Sequence, residues 1–308
     1  MKKGLCAILA ALLLAGWLDI LPQRREPEEL RLVDTLAVDG AKPVTATAVT
    51  AVRATGEEEP ELFTGSGPDL AAACRALREA SSRRAYLGQT EKLLVGEGID
   101  LAALLGYVLS DRDLRLDTLL YIVRGEAGAG LAASLDKVNP ETGGEDLRGV
   151  TVGKVLARVS QGECAAVPTL SPEAEGTLAP AGWAVVSDGG IVGWLEGESA
   201  LGCELLSGVE AERVVSFPDG ALRLTGVLLW VKGGVLTCIL EGETVQGSPD
   251  EAELAAWGAG ILRAALTPGW DCWGLAGEQR ALEPWGQVLA PEELDIRVTG
   301  KVVDSDGL

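Results

Sequence analysis

The sequence has no histidine among its 308 residues. That absence excludes Ser-His-Asp and Cys-His catalysis, histidine-ligated zinc and histidine pH switches. Positive charge is also short: 26 Lys and Arg stand against 46 Asp and Glu, a net charge of −20. Such a surface repels phosphate backbones, which argues against sequence-independent nucleic-acid binding, and it gains nothing from an anionic lipid surface. Aromatic residues make up 4% of the chain. No CxxC pair occurs among Cys6, Cys74, Cys164, Cys203, Cys238 and Cys272, whose scatter fits neither a zinc ribbon nor a disulfide framework. They read as plain thiols, Cys74 and Cys238 as small core residues, with one long-range disulfide left open if the protein is exported. No apolar run reaches the ~20 residues a spanning helix needs.

What is present is a 47% apolar chain, which excludes wholesale disorder, with length for about two domains. Lys2 and Lys3 precede an apolar run from Leu5 to Leu18. The basic start and short run have the layout of a secretory signal. The run ends Leu14-Ala15-Gly16-Trp17. A cysteine in place of Trp17 would complete a bacterial lipoprotein processing box; tryptophan has no thiol to take the lipid. Three readings stand. Cleavage follows Gly16, or the segment stays as an apolar foot with Trp17 at headgroup level, or it is a core helix of a cytosolic protein. The layout favours export.

Hydrophobic patterning predicts a mixed α and β chain of the α+β class. The expected segments are a signal or anchor at 1–18, a tether at 19–29 and an N-terminal α/β domain at 30–166. A linker at 167–180 follows, placed on Pro168, Pro172 and Pro180, and then a C-terminal α+β domain at 181–308. That last piece divides further into 181–208 and 209–308. The first half reads β-β-α-β-α-β-α, with strands at 30–38, 44–52, 90–96 and 117–123. Leu101, Leu104, Leu105, Val108 and Leu109 share one helix face, and 126–160 reads as helices with a break at 139–144. Asp188-Gly189-Gly190 and Lys232-Gly233-Gly234 read as hairpin turns. Helices follow at 198–206, 249–266 and 271–282, and a last strand at 294–303.

Candidate chemistry is sparse. The run from Glu57 to Glu61 is a solvated loop, lacking the spaced ligands of a calcium loop. Gly125, Gly128 and Gly130 follow a strand, but their order is not the dinucleotide-binding fingerprint. No carboxylate pair sits in a glycosidase setting. Apart from Trp17, every tryptophan lies from Trp183 onward. These read as core anchors, with an aromatic glycan platform as the alternative.

The order of pieces resembles the Ger(x)C spore germination proteins, the lipoprotein C subunit of germinant receptors. The resemblance rests on Arg24-Arg25-Glu26 leading to Glu28-Glu29-Leu30, and on Leu32 to Asp39. It continues through Arg84-Ala85-Tyr86-Leu87-Gly88-Gln89 to Gly98, the Gly182 to Leu195 hairpin, 271–284 and 294–303. Gln89 stands where the family usually has histidine, and Trp17 where it has the lipidated cysteine. The resemblance implies an α+β or mixed α/β fold, multi-domain, with mixed β-sheets flanked by helices, and a non-enzymatic subunit at the outer face of the spore inner membrane. It would contact two polytopic membrane subunits, of A and B type, and use no cofactor, metal or nucleic acid. Lys2, Lys3, Leu14, Ala15, Gly16 and Trp17 are then the membrane-targeting residues. Asp39, Arg84 and Glu97 are candidate partner contacts, each of which also reads as a structural salt bridge or cap. The alternative functions are an exported solute- or glycan-binding protein and an exported hydrolase.

Overall fold

In the computed structural model the described residues are 30–40, 42–50, 61–81, 84–110, 114–128, 131, 132, 135, 150–173, 178–207 and 213–303. The apolar foot, the tether, the acidic run before Glu61, and 136–149 lie outside them.

Ten strands form one sheet: β1 (Leu30–Asp39), β2 (Val44–Thr50), β3 (Leu62–Gly67), β4 (Arg84–Tyr86), β5 (Lys92–Gly96), β6 (Leu119–Val123), β7 (Val150–Thr151), β8 (Ala165–Pro172), β9 (Leu178–Ser187) and β10 (Gly190–Leu195). Their order is β10-β9-β8-β6-β5-β1-β2-β3, with β4 beside β1 and β7 beside β6. The centre, β1, β5, β6 and β8, is parallel. Parallel strands bury both faces and read as continuous apolar runs. Accordingly Leu93 and Val95 of β5 enter one core and Leu94 the other. The first core receives α1 (Leu70–Ala80), α2 (Leu101–Ser110) and α3 (Val152–Ser160). The second receives Ala127, Ala132 and Leu135.

Short-range chemistry sets the helix ends. Asp69 caps α1 by accepting the Ala72 amide at 2.8 Å, and Asp100 accepts that of Ala103 at 3.0 Å at the start of α2. The α2 face is buried at Leu101, Leu104, Leu105 and Val108, but Leu109 is 66% exposed. It follows Val108 by 100° and turns off the buried stripe.

A second sheet has the order β11 (Val214–Phe217), β12 (Gly220–Lys232), β13 (Val235–Gly247), β14 (Asp295–Val303). The β12–β13 turn has Gly233 and Gly234 both at positive φ, as the predicted two-residue hairpin requires. Leu254, Ile261 and Leu262 of α5 (Glu251–Leu266) pack on this sheet. Two further helices, α4 (Glu198–Leu206) and α6 (Leu275–Leu282), complete the architecture.

The observed fold class is mixed-sheet α+β. The stretch 167–180 is not a linker: β8 and β9 run through it and pair antiparallel inside the large sheet. The prolines mislead because they sit where a ladder tolerates them. Pro168 lies at the register irregularity between β8 and β9, and Pro172 ends β8. Likewise 181–195 continues the first sheet through β9 and β10 rather than opening a second domain. Strands β3, β4 and β7 were not legible in the patterning. The helix expected from 271 begins at Leu275, and of 126–160 the described helix of regular length is α3.

Candidate functional site

The parallel strands end in register. Val38 pairs with Val95, Gly96 with Val123, and Val123 with Leu170. Asp39, Glu97 and Arg124 therefore emerge together from one edge of the sheet. This carboxyl edge is where open α/β sheets present their recognition groups.

The Glu97 amide donates to the carbonyls of Val123 and Gly125, both at 3.1 Å. The Glu97 carboxylate in turn accepts the Gly125 amide at 3.3 Å. Gly125 has φ +89°, a conformation that favours glycine and turns the chain over the edge. Asp39 accepts the Gly40 amide at 2.7 Å through Oδ1, and that oxygen lies against the α-carbon of Gly96. Arg124 packs over the Trp194 ring, 4.2 Å from its centroid, and pairs with Glu196 after β10. Its Nε is buried with no hydrogen-bond partner.

Asp39 and Glu97 are thus brought together through Gly96 and Gly125. Arg84 is not: it pairs with Leu30, at the opposite end of β1 from Asp39. Gln89 is exposed and lines, with Arg115 and Asp117, a surface depression of about 550 Å³ at the amino end of the strands. There the Arg115 hydrogen bond holds the Asp117 carboxyl below its ordinary value. The targeting residues Lys2, Lys3, Leu14, Ala15, Gly16 and Trp17 lie outside the described residues. Patterning did not single out Arg124 or Glu196, and it read Trp194 as a core anchor. A cation, an aromatic and an acid far apart in sequence carry no local signal.

The carboxyl edge offers carboxylates, one guanidinium and an aromatic face. Among the described residues no group of three His, Cys, Asp or Glu could hold a metal ion. The arrangement is suited to charge-paired contact with another surface. Among the described residues, no helix is long and apolar enough to cross a membrane.

Residues 23–147 match the family model for the spore germination protein N-terminal domain. The first part of the chain, including Asp39, Arg84, Glu97 and Gly125, falls within it. A solved structure described as the crystal structure of the GerBC protein shares the fold. It has a TM-score of 0.53 at 14% identity, over 87% of this chain and 96% of that one. No curated protein matches. Residues 23–147 are thus similar to the N-terminal domain of spore germination proteins, and the fold is shared with the solved structure over most of the chain.

Proposed function

We propose that the chain is a non-enzymatic accessory subunit, the C subunit, of a spore germinant receptor. In this reading it acts by protein–protein contact at the outer face of the spore inner membrane, during nutrient-triggered germination. The observation that carries it is the family match over 23–147 joined to a GerBC-like fold over 87% of the chain. The carboxyl edge with Asp39 and Glu97 is the contact surface we favour, because it gathers charged groups without catalytic geometry. The N-terminal apolar run serves as the membrane foot, and the partners are polytopic A- and B-type subunits.

The test is a detergent pull-down of the tagged full chain from sporulating cells, with co-purifying proteins identified by mass. Recovery of polytopic membrane subunits is expected. A lone protein overturns the reading, as does normal germination after deletion in cells whose sole receptor is the cognate one. The alternative of glycan binding on an aromatic platform has less support. Trp183 is buried, and Trp194, Trp257, Trp270 and Trp273 pack against core clusters. Trp285, 99% exposed, stands apart from them.

A further inference from the structure

A cavity of about 800 Å³ opens between α3, the paired strands β8 and β9, the end of α4 and the loop joining α5 to α6. Its size falls in the range of small-molecule sites. Its walls include Trp183 and Cys272, each 4% exposed, together with Trp273 and Leu206. Lys154 and Arg158 line it from one face of α3, four residues and about one turn apart. The Trp273 indole Nε1 is buried at this wall and lies against the Cys203 thiol. The polar requirement of the lining comes from the two cations.

We infer that this cavity binds a small organic carboxylate with an apolar body. Two cations call for an acceptor-rich, anionic head. The tryptophan and leucine walls call for an apolar body, which a hydrated inorganic anion lacks. Arg158 is held in place by Glu163 at 3.4 Å and by its guanidinium lying against the α-carbon of Gly274, where an added Cβ would sit 3.2 Å away. These contacts hold the guanidinium at the cavity wall. In a chain of net charge −20, a lining with two cations and Glu163 as its acid is locally favourable to an anion. The walls come from both sides of the molecule, so an occupant would brace α3 against the α5–α6 loop. This inference does not depend on the receptor reading.

The test titrates the full chain, in mild detergent, with phenylacetate while following tryptophan fluorescence. Phenylethanol and inorganic phosphate serve as the neutral and the purely anionic controls. Saturation with a midpoint of about 1 mM or tighter is expected for a ligand of this size. Lys154→Gln, at an exposed position, should weaken it about tenfold, and Arg158→Gln by at least as much. Lys154→Gln guards against a fold defect in the Arg158 variant. No saturation by about 10 mM, equal response to phenylethanol, full competition by phosphate, or an unchanged midpoint in Lys154→Gln would each overturn the inference.

Discussion

The Asp39 carboxylate fills the space that a side chain on Gly96 would need, while accepting the Gly40 amide at 2.7 Å. The ends of β1 and β5 are fitted to each other by that pair. Glycine at 96 is set by a neighbour 57 positions earlier rather than by its own backbone angle.

Gly96→Ala should displace Asp39 and cost about 1–3 kcal/mol, read by urea unfolding. Asp39→Ala should cost less, losing one partly buried hydrogen bond. The double variant should fall short of the sum, since removing the carboxylate makes room for the new methyl. Strict additivity would show that the two do not compete for space.

Glycines inside helices should respond with opposite signs. An added Cβ at Gly202 of α4 would overlap the Ile261 carbonyl of α5. Gly202→Ala should therefore destabilise by about 1–3 kcal/mol or more, because backbone cannot step aside as a side chain can. Gly260 of α5 is exposed, with nothing within 4 Å of an added Cβ. Gly260→Ala should stabilise by about 0.5–1 kcal/mol through helix propensity. Thermal melts of the two variants check both directions.

Asp271 accepts three amides where α6 begins, from Gly274, Leu275 and Ala276, each at 2.8 Å. Asp271→Ala should cost about 1–2 kcal/mol in urea unfolding, the upper part of the range for helix caps. Asp271→Asn keeps an acceptor and should retain a good share of that stability.

Burial pushes the Cys238 thiol up to about 12, and the thiols of Cys203 and Cys272 also rise by burial. Each is neutral in the folded chain at pH values where an unfolded thiol ionises. Their contribution is therefore fully present below about pH 9, the unfolded range, and is lost as pH rises beyond it. For Cys238 the loss should continue to about pH 12, at about 1.4 kcal/mol per pH unit. Stability measured against pH should fall less steeply above pH 9 in Cys238→Ala than in the parent. The same burial predicts that Cys164, which is partly exposed, reacts with a thiol reagent before Cys203, Cys238 and Cys272.

If the carboxyl edge is the contact surface, Asp39→Ala with Glu97→Ala should reduce recovery of membrane partners several-fold in the pull-down. Thermal stability should fall only modestly, because Glu97 is exposed and its carboxylate hydrogen bond is long. Arg124→Ala should act alike, losing the Trp194 stack and the Glu196 pair. Undiminished recovery from folded variants would move the contact elsewhere on the chain.

Most local features follow from contacts within a few residues. Asp69, Asp100 and Asp250 each open a helix in the structure because a cap bonds an amide two or three residues on. Gly233-Gly234 announces its hairpin because both positions need positive φ. The missing histidine removes whole classes of chemistry without any fold. Long-range pairing set the rest. It drew Pro168 and Pro172 into a sheet where patterning saw a boundary, since a bulge or strand end tolerates a missing N–H. Parallel pairing of β1, β5 and β6 carried Asp39 to Gly96 and Glu97 to Gly125 and left Arg84 at the far end. It also set Arg158 and Trp273, more than a hundred residues apart, around one cavity. Caps and turns are fixed by bonds within a few residues. Strand order and cavities arise from long-range burial, which no local window contains.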